Sequence, residues 1–148
     1  MGAFATGVTV VTTLDGAGRD CGLTANAVTS VSLTPPLLLV CVDKNSESHD
    51  AFDKSGVFAV NILSTEQEAL SQRFAKSGAD KFAGLTVERA ASGVVLFPGS
   101  LASLACRVTA AHDAGDHTIY IGTVETAATQ AGEPLLYFGG KYARIQGA

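Results

Sequence analysis

The sequence predicts an antiparallel β-sheet closed into a barrel, with short helices packed outside. Three observations support this. Runs rich in β-branched and apolar residues follow one another along the chain, separated by turn residues. Only two or three short stretches carry helix-start and helix-stop signals. No GxGxxG or GxxxxGK occurs, so the strand–glycine turn–helix unit of a doubly wound sheet is missing.

In chain order, "GVTVVTTL" (7–14) is β-branched and strand-like, and "DGAGRD" (15–20) turns it back as a hairpin. The returning segment, "GLTANAVTSVSLTPPLLLVCV" (22–42), is broken by Pro35-Pro36. Its apolar half, 37–42, is short enough for a strand buried on both faces. In "NSESHDAFDKSG", Ser46 or Ser48 caps a short helix that stops at Gly56. "VFAVNIL" (57–63) is a further strand. Thr65 stands three residues before Glu68, the spacing of a capping box, so a helix follows. "LTVERA", "SLASLACRVTAAHDAG", "HTIYIGTVETAAT" and "PLLYFGGKYARI" read as strands, giving six to eight in all.

The 148 residues fit a single domain, 1–148, large enough to bury one core. A composition 47% hydrophobic, with mean hydropathy +0.27, hints at additional buried surface such as a subunit interface. A net charge of −4 and a pI near 5.2 argue against a nucleic-acid platform. The longest uncharged run, 21–42, contains Asn26, several hydroxyls and two prolines, which argues against a membrane span. No secretory signal opens the chain. Gly2 with Thr6 loosely matches a myristoylation pattern, but the segment reads as structured. Three widely spaced cysteines without CxxC suit reduced thiols in the cytoplasm. Cys41 and Cys106 lie in apolar runs and read as small core residues.

Three constellations bear on chemistry. Segment 22–34 offers five hydroxyls and one amide without a charge. Alternation puts Thr24, Asn26 and Val28 on one face, and gives way near Thr29 to Ser30, Val31 and Ser32. Such a row either faces solvent from a hairpin or holds the edge of a flat heterocycle, which needs neutral donors and acceptors. Ser46 and Ser48 at a helix start, with Arg73, Lys76 and Lys81 in "RFAKSGADKF", offer parts for an anion. Lys76 reads as an ordinary charge at a helix C-terminus, whereas Lys81 sits in a loop. His112, Asp113, Asp116 and His117 have the right types for a metal, but their spacing is poor for zinc. His117 reads as a binding histidine at a strand start and His112 as a structural one. No GxSxG nucleophile motif occurs.

"FATGVTVVTT", "GLTANAVTSVSLTPPLLLVCV", "SGVFAVNILS", "QRFAKSGADKF", "GDHTIYIGTV" and "PLLYFGGKY" occur in this order. Together they resemble the flavin reductase-like family over nearly the whole chain, 4–142. The resemblance implies an FMN-binding split barrel of Greek-key topology, usually a homodimer. Members of this short type reduce FMN or FAD with NADH or NADPH, and many supply a two-component monooxygenase. By the same resemblance, Thr24, Asn26, Ala27, Ser30 and Ser32 lie along the flavin ring and ribityl chain. Asp43, Ser46 and Ser48 lie near the ribityl-phosphate end. Phe74, Ala75 and Lys81 complete the pocket, with Lys81 toward the phosphate. His117 matches a nicotinamide-nucleotide position, and Tyr142 a C-terminal aromatic near the cofactor. Relatives usually carry a helix before the "GFATGV"-like segment; this chain starts almost inside it, so that helix is expected to be missing.

The implied reaction is hydride transfer between stacked rings, in which the protein aligns and no general acid or base is obligatory. His117 is expected to position the dinucleotide. The alternatives are a split-barrel flavoenzyme with another electron acceptor, a non-enzymatic FMN-binding protein and a protein-binding scaffold.

Overall fold

The β-branched run after Gly7 pairs as expected. In the computed structural model, which describes residues 1–78 and 80–145, β1 (Thr6–Gly7) leads into β2 (Thr9–Leu14), which forms a hairpin with β3 (Asp20–Ala25). Asp15 organises the turn: its Oδ1 accepts the backbone N–H groups of Ala17 and Arg19, each at 2.8 Å. The Arg19 backbone bond is the main cause holding the Asp15 carboxyl below its ordinary range. Strands β4 (Val28–Leu33) and β5 (Pro36–Asp43) flank a turn containing the cis Thr34–Pro35 peptide. The loss of alternation near Ser30 is a bulge: Ser30 pairs with Leu38 and Ser32 with Leu37.

Helix α1 (His49–Ser55) begins after Ser48 and ends at Gly56, whose φ of 65° is left-handed backbone that favours glycine. Strand β6 (Val57–Ile62) follows. The expected capping box lies one residue earlier than Thr65–Glu68. Ser64 and Gln67 form it, opening a 3₁₀ turn (Thr65–Gln67) that runs into α2 (Glu68–Phe74). The "LTVERA" stretch contributes only β7 (Glu88–Arg89), paired with β8 (Val95–Leu96). Strands β9 (Ala102–Ala114) and β10 (His117–Thr129) form a long hairpin. The last expected strand is two short ones, β11 (Leu136–Phe138) and β12 (Lys141–Ala143), split by the Gly139-Gly140 turn.

Seven strands form the main antiparallel sheet in the order β3-β2-β6-β9-β10-β5-β4; the described residues hold twelve strands, more than the expected six to eight, because β1, β7, β8, β11 and β12 are pieces of two or three residues. The two edge strands of the main sheet, β3 and β4, are separated only by Asn26 and Ala27. That short link holds the ends of the two edge strands together, so the sheet curls into a barrel, but among the described residues no β3–β4 pairing closes it. At the seam, the Cys41 N–H donates to the Ala27 carbonyl at 3.0 Å. A small sheet, β1-β11-β12, lies beside the barrel.

Tyr120, Phe52, Phe58, Val40 and Val42 are fully buried and fill the barrel. Burying each such side chain contributes about 1.5–3 kcal/mol. A second cluster, with Phe74, Phe97 and Leu63, packs α2 and the C-terminal strands onto β2. Asn61, also fully buried, makes three internal hydrogen bonds. Its amide donates to the Val10 carbonyl, and its oxygen accepts from Phe97 N–H and the Ser103 hydroxyl. Strand β5 departs from the expectation of burial on both faces. Leu38, Val40 and Val42 are buried, while Leu37, Leu39 and Cys41 are half-buried because β5 lies next to the edge strand. Cys106 is a core residue, and Cys41 is half-buried on that outer face.

Candidate active site

Strand β3 supplies the floor of the site. Gly22, Thr24 and Asn26 alternate onto the face turned toward α2 and span about 13 Å of extended chain. A side chain at Gly22 is disfavoured, because a Cβ there would lie 3.0 Å from the Phe74 ring and 3.1 Å from the Val11 carbonyl. Thr24 Oγ1 donates to the Ser71 carbonyl at 2.6 Å, fixing β3 to α2. The Ser71 hydroxyl bonds the Tyr142 hydroxyl at 2.8 Å, which ties the C-terminal strands to the same helix. Val8, Thr24, Asn26, Ser71, Ala75, Tyr137 and Tyr142 thereby enclose a cleft of about 250 Å³ with no charged side chain in its walls. Among the described residues, Asn26 has no hydrogen-bond partner, so its amide is available to a ligand.

Two residues back along β3, the walls become charged, with Lys81 among Asp20, Glu47 and Asp80. The Gly22 carbonyl accepts the Ser48 hydroxyl at 3.1 Å and the Lys81 ammonium at 3.4 Å. Ser48, Lys81, Glu47, Asp80 and Phe82 line a small cleft of about 140 Å³. It adjoins a larger one of about 760 Å³ that shares Asp20, Cys21, Glu47, Asp80 and Phe82. Desolvation raises the Cys21 thiol above its ordinary pKa.

At the far end of β5, Asp43 pairs in register with His117, the first residue of β10. The His117 ring is partly exposed, and its Nδ1 bonds Asp116 Oδ1 at 2.8 Å. That bond leaves Nε2 without a partner among the described residues and holds the Asp116 carboxyl below its usual range. Lys44 ties the β9–β10 turn down by donating to Asp113 and to the Gly115 carbonyl.

A family model described as "Flavin reductase like domain" matches residues 1–146. The chain belongs to the flavin reductase-like family. It is 47% identical to an NADH-dependent FMN reductase, SmoA, of Agrobacterium fabrum, over 98% of this chain and 82% of that protein. It is 39% identical to the reductase subunit HsaB of a flavin-dependent monooxygenase of Rhodococcus jostii, over 99% of this chain and 75% of that protein. Among solved structures, the NADH:FAD oxidoreductase SgcE6 of Streptomyces globisporus, in complex with NAD and FAD fragments, superposes with a TM-score of 0.93. That match has 39% identity and covers 99% of this chain and 88% of that one.

The residues of this flavin reductase-like domain suit a flavin. The neutral cleft offers hydroxyls, an unengaged amide and two tyrosines to an uncharged heteroaromatic, and the lysine at its end suits a phosphate. The structure brings Thr24, Asn26, Ala75 and Tyr142 to the first cleft, and Ser48 and Lys81 to the second. Ala27 lies at the seam between them and β4. Ser30 and Ser32 do not continue the row. They line a separate apolar groove on β4, because the chain crosses the seam to the opposite sheet edge. The Phe74 ring is buried beneath β3, between Phe82 and Phe97, instead of facing the cleft. Asp43 and Ser46 are engaged in the loop before α1, accepting the Asn45 and Ser48 N–H groups. Sequence reading missed Val8, Ser71, Tyr137 and Glu47. The Ser71–Tyr142 bond joins positions 71 residues apart, and no local signal marks such a pair.

Proposed function

We propose that this chain is a flavin reductase that passes a hydride from NADH to a flavin and feeds reduced flavin to a separate monooxygenase. The observation that carries this reading is the β3 strip, uncharged at the Thr24–Asn26 end and carrying the Lys81 ammonium, among carboxylates, at the other. When bound together, the flavin supplies an electron-accepting N5 and the reduced nicotinamide a hydride at C4. The protein's part is placement. Asn26 and Thr24 hold the ring edge, Tyr137 and Tyr142 wall the cleft, and Lys81 with Ser48 hold the phosphate. His117 positions the dinucleotide through its unpartnered Nε2. No side chain need donate or remove a proton.

The larger cleft beyond Lys81 leaves room for an adenylate, so both FMN and FAD are proposed as substrates. NADPH is proposed as a second donor, because the site presents no Rossmann-type selector against it. A second copy of the chain is proposed to cover the apolar groove of Leu33, Pro36, Leu37, Val60 and Ile62. That groove has a volume of about 490 Å³, and Leu33 is 88% exposed beside it. Three free cysteines suit a reducing cytoplasm. No helix among the described residues is long and apolar enough to cross a membrane.

Steady-state oxidation of NADH and NADPH with FMN, FAD and riboflavin tests the reading, and turnover is expected to depend strictly on added flavin. His117→Ala is expected to raise the apparent KM for NADH about tenfold, the scale of one lost charge-assisted contact, with flavin affinity unchanged. Turnover that is indifferent to added flavin, or an H117A effect confined to flavin affinity, refutes the assignment.

A further inference from the structure

Glu47 stands beside the cation that the flavin phosphate needs. Both of its carboxylate oxygens accept the Gly78 N–H, at 2.8 and 3.1 Å, and its Oε2 lies 4.0 Å from Lys81 Nζ. The Lys81 side chain is only 14% exposed, and its single hydrogen bond among the described residues is the 3.4 Å contact to the Gly22 carbonyl. A largely buried ammonium with one long bond and a distant carboxylate is incompletely satisfied. The neighbouring acids are engaged elsewhere: Arg89 holds both oxygens of Asp20 at 2.8 Å, and Asp80 accepts the Phe82 N–H. Among the described residues, Glu47 is the one carboxylate within 4.0 Å of the Lys81 ammonium. Any anion seated on Lys81 displaces that weak pair and then lies against the Glu47 charge.

We propose that Glu47 is a specificity-determining residue that weakens the site's hold on the flavin phosphate, so that phosphorylated flavins bind and leave freely. The proposal rests on the flavin reading above. Glu47 also lines the larger cleft, so the same charge faces a pyrophosphate that extends into it. Its side chain is 52% exposed, so solvent screening limits the effect to that of a half-exposed charge pair.

The test is equilibrium binding of FMN and riboflavin to the wild type, Glu47→Gln and Glu47→Ala, read by flavin fluorescence anisotropy at low salt. Glutamine keeps an acceptor for Gly78, and alanine does not, so the pair separates charge from loop support. Both variants are expected to bind FMN about fivefold more tightly, with riboflavin unchanged. The gain is expected to shrink as salt is added. Equal tightening of both flavins, unchanged FMN affinity in E47Q, or weaker FMN binding in E47Q overturns the proposal. Equal binding of riboflavin and FMN by the wild type and by E47Q alike refutes the phosphate role of Lys81, and this proposal with it. Wild-type protein that binds neither refutes the flavin reading itself.

Discussion

Gly22→Ala is the most informative single change in the site's framework. The new Cβ would lie 3.0 and 3.2 Å from two Phe74 ring carbons and 3.1 Å from the Val11 carbonyl, where ordinary contact begins at 3.4 Å. None of these neighbours yields easily. Phe74 is 1% exposed and clamped by Phe82 and Phe97, and Val11 is fully buried backbone in the adjacent ladder. Relieving a few tenths of an ångström of overlap in such packing costs about 1–3 kcal/mol. The lower chain entropy of unfolded alanine offsets about 0.4–1 kcal/mol of that. The net expectation is a loss of about 1 kcal/mol, or a Tm lower by about 2–4 °C. The Gly22 carbonyl also anchors Ser48 and Lys81, so FMN affinity is expected to fall severalfold. Thermal unfolding by circular dichroism and FMN anisotropy read the two effects. Gly7→Ala, whose Cβ meets nothing within 4 Å, is the control, and Gly122→Ala, at 2.6 Å from the Phe58 ring, is expected to cost more. If G22A matches G7A in both stability and FMN affinity, the close approach of β3 to α2 does not support the site as argued.

Leu33→Glu places a charge beside the apolar groove and is expected to convert a dimer to monomers in sedimentation velocity; an intact dimer refutes the assignment of that groove to a second copy. Burial pushes the Cys106 thiol up to about 12, so alkylation of native protein at pH 8 is expected to spare it while Cys21 and Cys41 react; three labels on folded protein refute this. The same shift fixes a sign. Above the ordinary value of 9.0 the unfolded chain releases this proton first, so its ionisation lowers stability as pH rises toward 12.

Much of the fold was legible because it rests on local chemistry. The β-branched run at β2, the Asp15 turn, the Gly56 stop and the "HTIYIGTVETAAT" strand depend on residues near in sequence. Local chemistry also produced the errors. Thr65 mimics a cap that Ser64 provides, and the apolar run of β5 looks doubly buried although its outer face is only half-covered.

The types of group in the site, neutral hydrogen-bonders on β3 and a loop lysine, come from composition and alternation alone, as does the exclusion of a Rossmann site. Which of them meet is a tertiary decision. The strand order parts Ser30 and Ser32 from Thr24 and Asn26, although the sequence runs them together. It joins Lys81 to Gly22 across 59 residues and Tyr142 to Ser71 across 71. Pairings of that range follow from how the whole sheet curls and buries its apolar faces, and no window of neighbouring residues holds that information.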